Sequence, residues 1–142
     1  MTPVNEFRVS LDQALGRIKA AMPKARVLAV SIPNVYRVWE IAHTNKVALG
    51  VWKSGICPNL LANAASDAPA DNARRQAFRE RIGQYNAQVK AACAAYGPRC
   101  KYDNITSFAF ETTMLSAIDF FHPNSIGQDA LAGQSYPGTF TW

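Results

Sequence analysis

The sequence predicts an α/β fold from three features. Two stretches place an apolar residue every three or four positions, a short continuous apolar run follows the first, and a shorter, more polar run follows the second. Helix then strand, twice over, is the unit from which parallel sheets are built, because neighbouring parallel strands must be joined by a crossover, usually a helix.

Thr2 and Pro3 open the first predicted helix, with a hydroxyl at the capping position and a proline at the first helical position, where its missing N–H costs nothing. Val4, Phe7, Leu11, Ala14, Leu15, Ile18 and Met22 then form one apolar stripe, and Pro23 ends it. Residues 26–32, Arg-Val-Leu-Ala-Val-Ser-Ile, are apolar without alternation and bounded by prolines, as expected of a strand buried on both faces. From Pro33 to Asp71 the pattern is irregular, which predicts a long excursion with short helical pieces around Tyr36, Trp39 and Trp52. Excursions of that length often carry function or cover a pocket, and a plain structural flap is the competing reading. Periodicity returns at Phe78, Ile82, Tyr85, Val89 and Cys93, with Arg74, Arg75, Arg79 and Arg81 read as the solvated face of that helix. Gly97 and Pro98 stop it, and residues 99–104 form the second predicted strand. Asn124-Ser125-Ile126-Gly127-Gln128 is a capping pattern that opens a last short helix containing Ala130 and Leu131.

The bulk composition, 49% hydrophobic and 18% charged over 142 residues, fits one globular domain or a large piece of one. No run of eighteen apolar residues and no basic-then-apolar leader occurs, so neither a membrane span nor a signal peptide is expected. The net charge of +5 suits an anionic partner, but the cations are scattered apart from the four arginines, and no stacking aromatics accompany them. Nucleic acid is therefore not an expected partner. Cys93 and Cys100 flank Tyr96-Gly97-Pro98, and a turn there can bring them within bridging distance, which implies an oxidising compartment. Cys57 is left over, either as a buried free thiol or with a partner outside the chain.

The strongest chemical signal is Asp119-Phe120-Phe121-His122-Pro123, on a loop beyond the last strand, where open α/β sheets bind ligands. An Asp that accepts from one ring nitrogen of a His fixes its tautomer and leaves the other nitrogen free to take a proton from a nucleophile. The competing reading is a histidine capped by a neighbouring aspartate in a packed loop. His43 has no cluster of Cys, His or carboxylate at metal spacing, so no metal and no cofactor are expected. A Cys57 nucleophile with His122 as base is a further, weaker plan, which needs an exposed thiol of low pKa.

With Ser125, Gly127 and Gln128 following, Asp119-x-x-His122-Pro123 resembles the last conserved block of the SGNH hydrolases, also called GDSL lipases and esterases. The stretch Val30-Ser31-Ile32-Pro33-Asn34-Val35-Tyr36, the Trp39 segment and Gly55-Ile56-Cys57 are similar to secreted actinobacterial members. The resemblance covers residues 1–142 as the C-terminal half of a single family domain. It implies part of a three-layer α/β/α sandwich with a parallel, flavodoxin-like sheet, a secreted location, and hydrolysis of carboxylic esters such as lipids or acylated sugars. It also implies His122 as general base and Asp119 as its orienter. The nucleophilic serine of the Gly-Asp-Ser block, and the glycine and asparagine of the oxyanion hole, would precede Met1. Ser31, Ser54, Ser107, Ser116 and Ser125 lack the Gly-Asp-Ser and Gly-x-Ser-x-Gly contexts, so none replaces it. The expectation is therefore a truncated hydrolase, inactive alone, with Met1 an internal methionine read as a start or the gene broken. The alternative is a non-catalytic relic, or a subunit that completes its sheet with another chain.

Overall fold

The computed structural model describes residues 1–137 and 140–142. In chain order it contains α1 (Val4–Ala21), β1 (Val27–Ala29), α2 (Tyr36–Ala42), α3 (Lys46–Trp52), α4 (Pro58–Leu61), α5 (Pro69–Tyr96), β2 (Cys100–Tyr102), a 3-10 turn (Thr112–Met114) and α6 (Ser125–Ser135). β1 and β2 pair in parallel, Val27 against Cys100, Leu28 against Lys101 and Ala29 against Tyr102. The protein is thus a mixed α/β chain with a two-stranded parallel sheet, and each strand is preceded by a helix.

α1 and α5 run side by side in the same direction. Phe7 stacks on Tyr85 at 4.4 Å between ring centroids, Arg8 donates to Gln88 at 3.3 Å, and Lys19 donates to the Tyr96 carbonyl at 3.1 Å, so contacts advance along both helices together. α5 also packs on both strands. The Cys93–Cys100 disulfide staples its last turn to β2, with 5.3 Å between the two Cα atoms. A bridge that closes so short a loop removes unfolded-chain entropy worth roughly 2–3 kcal/mol.

Three expectations need correction. α1 begins after Pro3, which occupies the capping position itself, and no side chain caps the helix, so Thr2 does not. Its carbonyl instead accepts from the Tyr85 hydroxyl at 2.7 Å. β1 is not buried on both faces: its three residues are half-buried and the next, Val30, is 52% exposed, because two paired strands and one packed helix cannot cover both sides of a sheet. The four arginines are not one solvated face. α5 starts at Pro69, which brings Arg75 inward, where it is fully buried with its guanidinium over the Trp39 ring at 4.4 Å.

The main core lies away from the sheet. Val38 and Ala42 of α2, Ala48 and Trp52 of α3, Leu60 and Leu61 of α4, Phe78 of α5, and Phe110 and Leu115 beyond β2 form one buried cluster. The excursion between the strands therefore folds over the first half of α5 and closes on the segment that carries the Asp119–His122 motif.

Candidate active site

Residues 116–122 form a loop with a pinned neck. Leu115 and Pro123 meet in an antiparallel bridge, the Ser116 N–H donates to the His122 carbonyl at 2.8 Å, and the Asn124 N–H donates to the Met114 carbonyl at 2.9 Å. Asn124 clamps the same neck, donating through Nδ2 to the carbonyls of Thr113 and Leu115, while its Oδ1 caps α6 by accepting from the Gly127 N–H at 3.1 Å. Gly127 is required here, because a Cβ at that position would lie 2.4 Å from the Met114 carbonyl oxygen. Thus the capping pattern seen in the sequence starts a helix and also closes the loop that carries the motif.

Inside the loop, Phe120 takes a left-handed conformation at φ 53°, held by its N–H donating to the Ser116 carbonyl at 2.9 Å. A non-glycine residue in that region costs on the order of 1 kcal/mol or more and persists only where its surroundings impose it. The turn it makes folds Asp119 back on the chain. Asp119 Oδ1 accepts from the N–H groups of Phe121 and His122, each at 3.0 Å, and Oδ2 lies 2.7 Å from His122 Nδ1. The Trp52 indole N–H donates to the Asp119 carbonyl at 3.0 Å, which ties the loop to the buried end of α3. Burial would raise the Asp119 pKa. The His122 bond, the two backbone donors and the histidine's charge outweigh it and hold the carboxyl below its ordinary 3.8.

The His122 side chain is 69% exposed, with its ring edge against Phe121 at 5.0 Å between centroids. Nδ1 faces the carboxylate of Asp119, which favours the Nδ1–H tautomer a general base requires and leaves Nε2 without a partner among the described residues. Among the described residues no serine hydroxyl or thiol lies within hydrogen-bonding distance of that ring. Cys57 does not have the exposed, low-pKa thiol that its plan needs: it is half-buried, and burial pushes its pKa up against a smaller opposing effect from the Leu60 N–H. His43 belongs to the packing of α2. It stacks on Trp39 at 4.4 Å, with Nδ1 at 2.9 Å from the Trp39 carbonyl oxygen. No group of three or more His, Cys, Asp or Glu able to hold a metal ion occurs among the described residues.

The structure brings together the two residues the sequence singled out, and adds Trp52, Ser116, Asn124 and Gly127 as the frame that holds them. Trp52 is 67 positions from Asp119, and nothing local marks the pairing. Asn124 and Gly127 were visible as a helix start, though not as a loop clamp. No known family model, curated protein or solved structure matches the chain.

Proposed function

We propose that the chain supplies the base and its orienter to a serine ester hydrolase of the SGNH type. The observation that carries this reading is the 2.7 Å contact from Asp119 Oδ2 to His122 Nδ1, with Nε2 left open on an exposed ring. In that reaction Nε2 removes the proton of a serine hydroxyl as its oxygen attacks the ester carbonyl. The imidazolium is held by Asp119 and then protonates the departing alcohol. Water repeats the sequence and releases the acid. Supporting features are the helix-strand pairs around a parallel sheet and the position of the loop beyond β2. The Cys93–Cys100 bridge fits the secreted location that goes with this reading.

The finer architecture, a three-layer α/β/α sandwich, is part of the same proposal. Among the described residues β1 has a strand neighbour on one side only, with Val30 exposed at its end, and further parallel strands bearing Gly-Asp-Ser and the oxyanion donors would pair along that free edge. The same edge favours the second reading, a non-catalytic subunit whose sheet is completed by another chain.

The test is hydrolysis of p-nitrophenyl butyrate by the chain alone and by a version extended upstream with a segment carrying Gly-Asp-Ser. The expected result is negligible turnover by the chain alone and turnover by the extended form that disappears in His122→Ala. Turnover unchanged by His122→Ala sinks the catalytic role, and a folded but inert extended form favours the non-catalytic subunit.

A further inference from the structure

A cavity of about 580 Å³ opens where the segments leaving both strands meet the middle of α5. Asn34 and Tyr36 reach it from beyond β1, Asn104 and Ser107 from beyond β2, and Arg79, Gly83 and Lys90 from α5. Neither Asp119 nor His122 lines it. It sits past the carboxyl ends of two parallel strands, the position at which open α/β sheets take ligands.

The charge of this cavity is one-sided. Arg79 and Lys90 line it and no carboxylate does. Among the described residues neither cation makes an ion pair; Arg79 lies instead over the Tyr36 ring, 5.2 Å from its centroid. Two unneutralised cations in one concavity concentrate positive potential there. They stand eleven residues apart on one helix, which at 1.5 Å per residue is about 16 Å along its axis, a spacing that suits two separate anionic groups on one ligand. The rest of the lining is uncharged, and it offers the amide of Asn104 and the hydroxyls of Thr106 and Ser107, with Gly83 on the α5 side. Glycine is a poor residue inside a helix, and no neighbour requires it at this position, since a Cβ built there meets nothing within 4 Å. Its effect is to keep that part of the lining free of a side chain.

We propose that this groove binds an extended, hydroxyl-rich polyanion: an acidic oligosaccharide whose sulfate or uronate groups meet Arg79 and Lys90 while its hydroxyls meet the amides and hydroxyls of the lining. Single-stranded nucleic acid fits less well, because its sequence-tolerant binding relies on free aromatic faces. Of the two tyrosines in the lining, Tyr36 is already packed by Trp39 at 5.4 Å and by Arg79, and Tyr102 is half-buried in β2.

The probe is a fluorescein-labelled heparin hexasaccharide titrated into the whole chain, with neutral maltohexaose as control. Binding of the heparin probe alone is expected, weakening with added salt, and about tenfold or more weaker in the Arg79→Gln, Lys90→Gln double variant. Gly83→Leu is expected to weaken it to a similar degree while melting no lower than the parent, because leucine adds a side chain to the lining and favours helix. Removing the same charge elsewhere, by Arg17→Gln with Lys24→Gln, is expected to leave most of the binding. Equal losses in the two double variants, or unchanged binding in Gly83→Leu, would overturn the site. Displacement by a thymidine oligonucleotide at equal or lower concentration than unlabelled heparin hexasaccharide would assign the groove to nucleic acid instead.

Discussion

Asp119 commits both of its oxygens to one short loop, Oδ1 to two backbone donors and Oδ2 to the imidazole. A carboxyl whose folded pKa is depressed contributes stability that is present above its unfolded value and is lost as pH falls through the folded one. Asp119→Asn is therefore expected to be less stable than the parent near neutrality, with the gap closing once the pH drops below 3.8. Urea denaturation of both proteins at pH 7 and below pH 3 measures it, and a gap that persists or widens in acid contradicts the assigned role. The pairing itself was legible in the sequence, because an i, i+3 contact needs only a local turn. Its consequence was not, since the left-handed Phe120 and the Trp52 bond that orient Asp119 depend on residues brought together by the fold.

At the scale of elements, β1 is short, and a helix continues its pairing. Asn86 of α5 is buried, and its amide donates to the Ile32 carbonyl and accepts from the Ile32 N–H, both at 2.8 Å, as another strand would. One position earlier, Ser31 donates through N–H and hydroxyl to Asp103 Oδ1, at 2.8 and 2.7 Å, while the Ser135 hydroxyl of α6 donates to Oδ2 at 2.8 Å. The predicted strand over residues 26–32 is thus ordered over most of its length, but side chains replace the ladder after Ala29. Asn86→Leu leaves the N–H and C=O of Ile32 unpaired and is expected to cost roughly 2–4 kcal/mol in chemical denaturation. A loss under about 0.5 kcal/mol, the range of ordinary surface changes, would show that the clamp is dispensable. The apolar run predicts that an extended segment exists, but it cannot say whether a strand or an asparagine satisfies it.

For the molecule as a whole, the excursion between the strands is the part that closes the structure, and arginines anchor it. Arg75 donates to the Ser66 carbonyl at 2.6 Å and to Asn72 at 2.5 Å, Arg74 to Asp71 and the Ala62 carbonyl, and the Trp39 indole to the Ala64 carbonyl at 2.8 Å. Arg74 beside Asp71, with help from Ser66 and Asn63, holds that carboxyl down to about 2. The carbonyls of residues 62, 64 and 66 are therefore all turned toward donors on α2 and α5. A lysine keeps the charge of Arg75 but loses the planar stack on Trp39 and the Nη2 atom that makes both bonds, so Arg75→Lys is expected to cost about 1–3 kcal/mol. Arg17→Lys, on an exposed turn of α1, is expected to stay within about 0.5 kcal/mol in the same thermal melts. Similar losses in both would remove the distinction between anchored and solvated arginines. By itself the sequence determined the order of helices and strands, the reach of the disulfide and the Asp119–His122 pair, because each depends on periodicity or on residues a few positions apart. Only the tertiary structure decided which arginine is buried, what ties Asp119 to α3, and that the core lies under the excursion rather than on the sheet. Those outcomes depend on which distant segments share the limited apolar surface, and no local pattern encodes that competition.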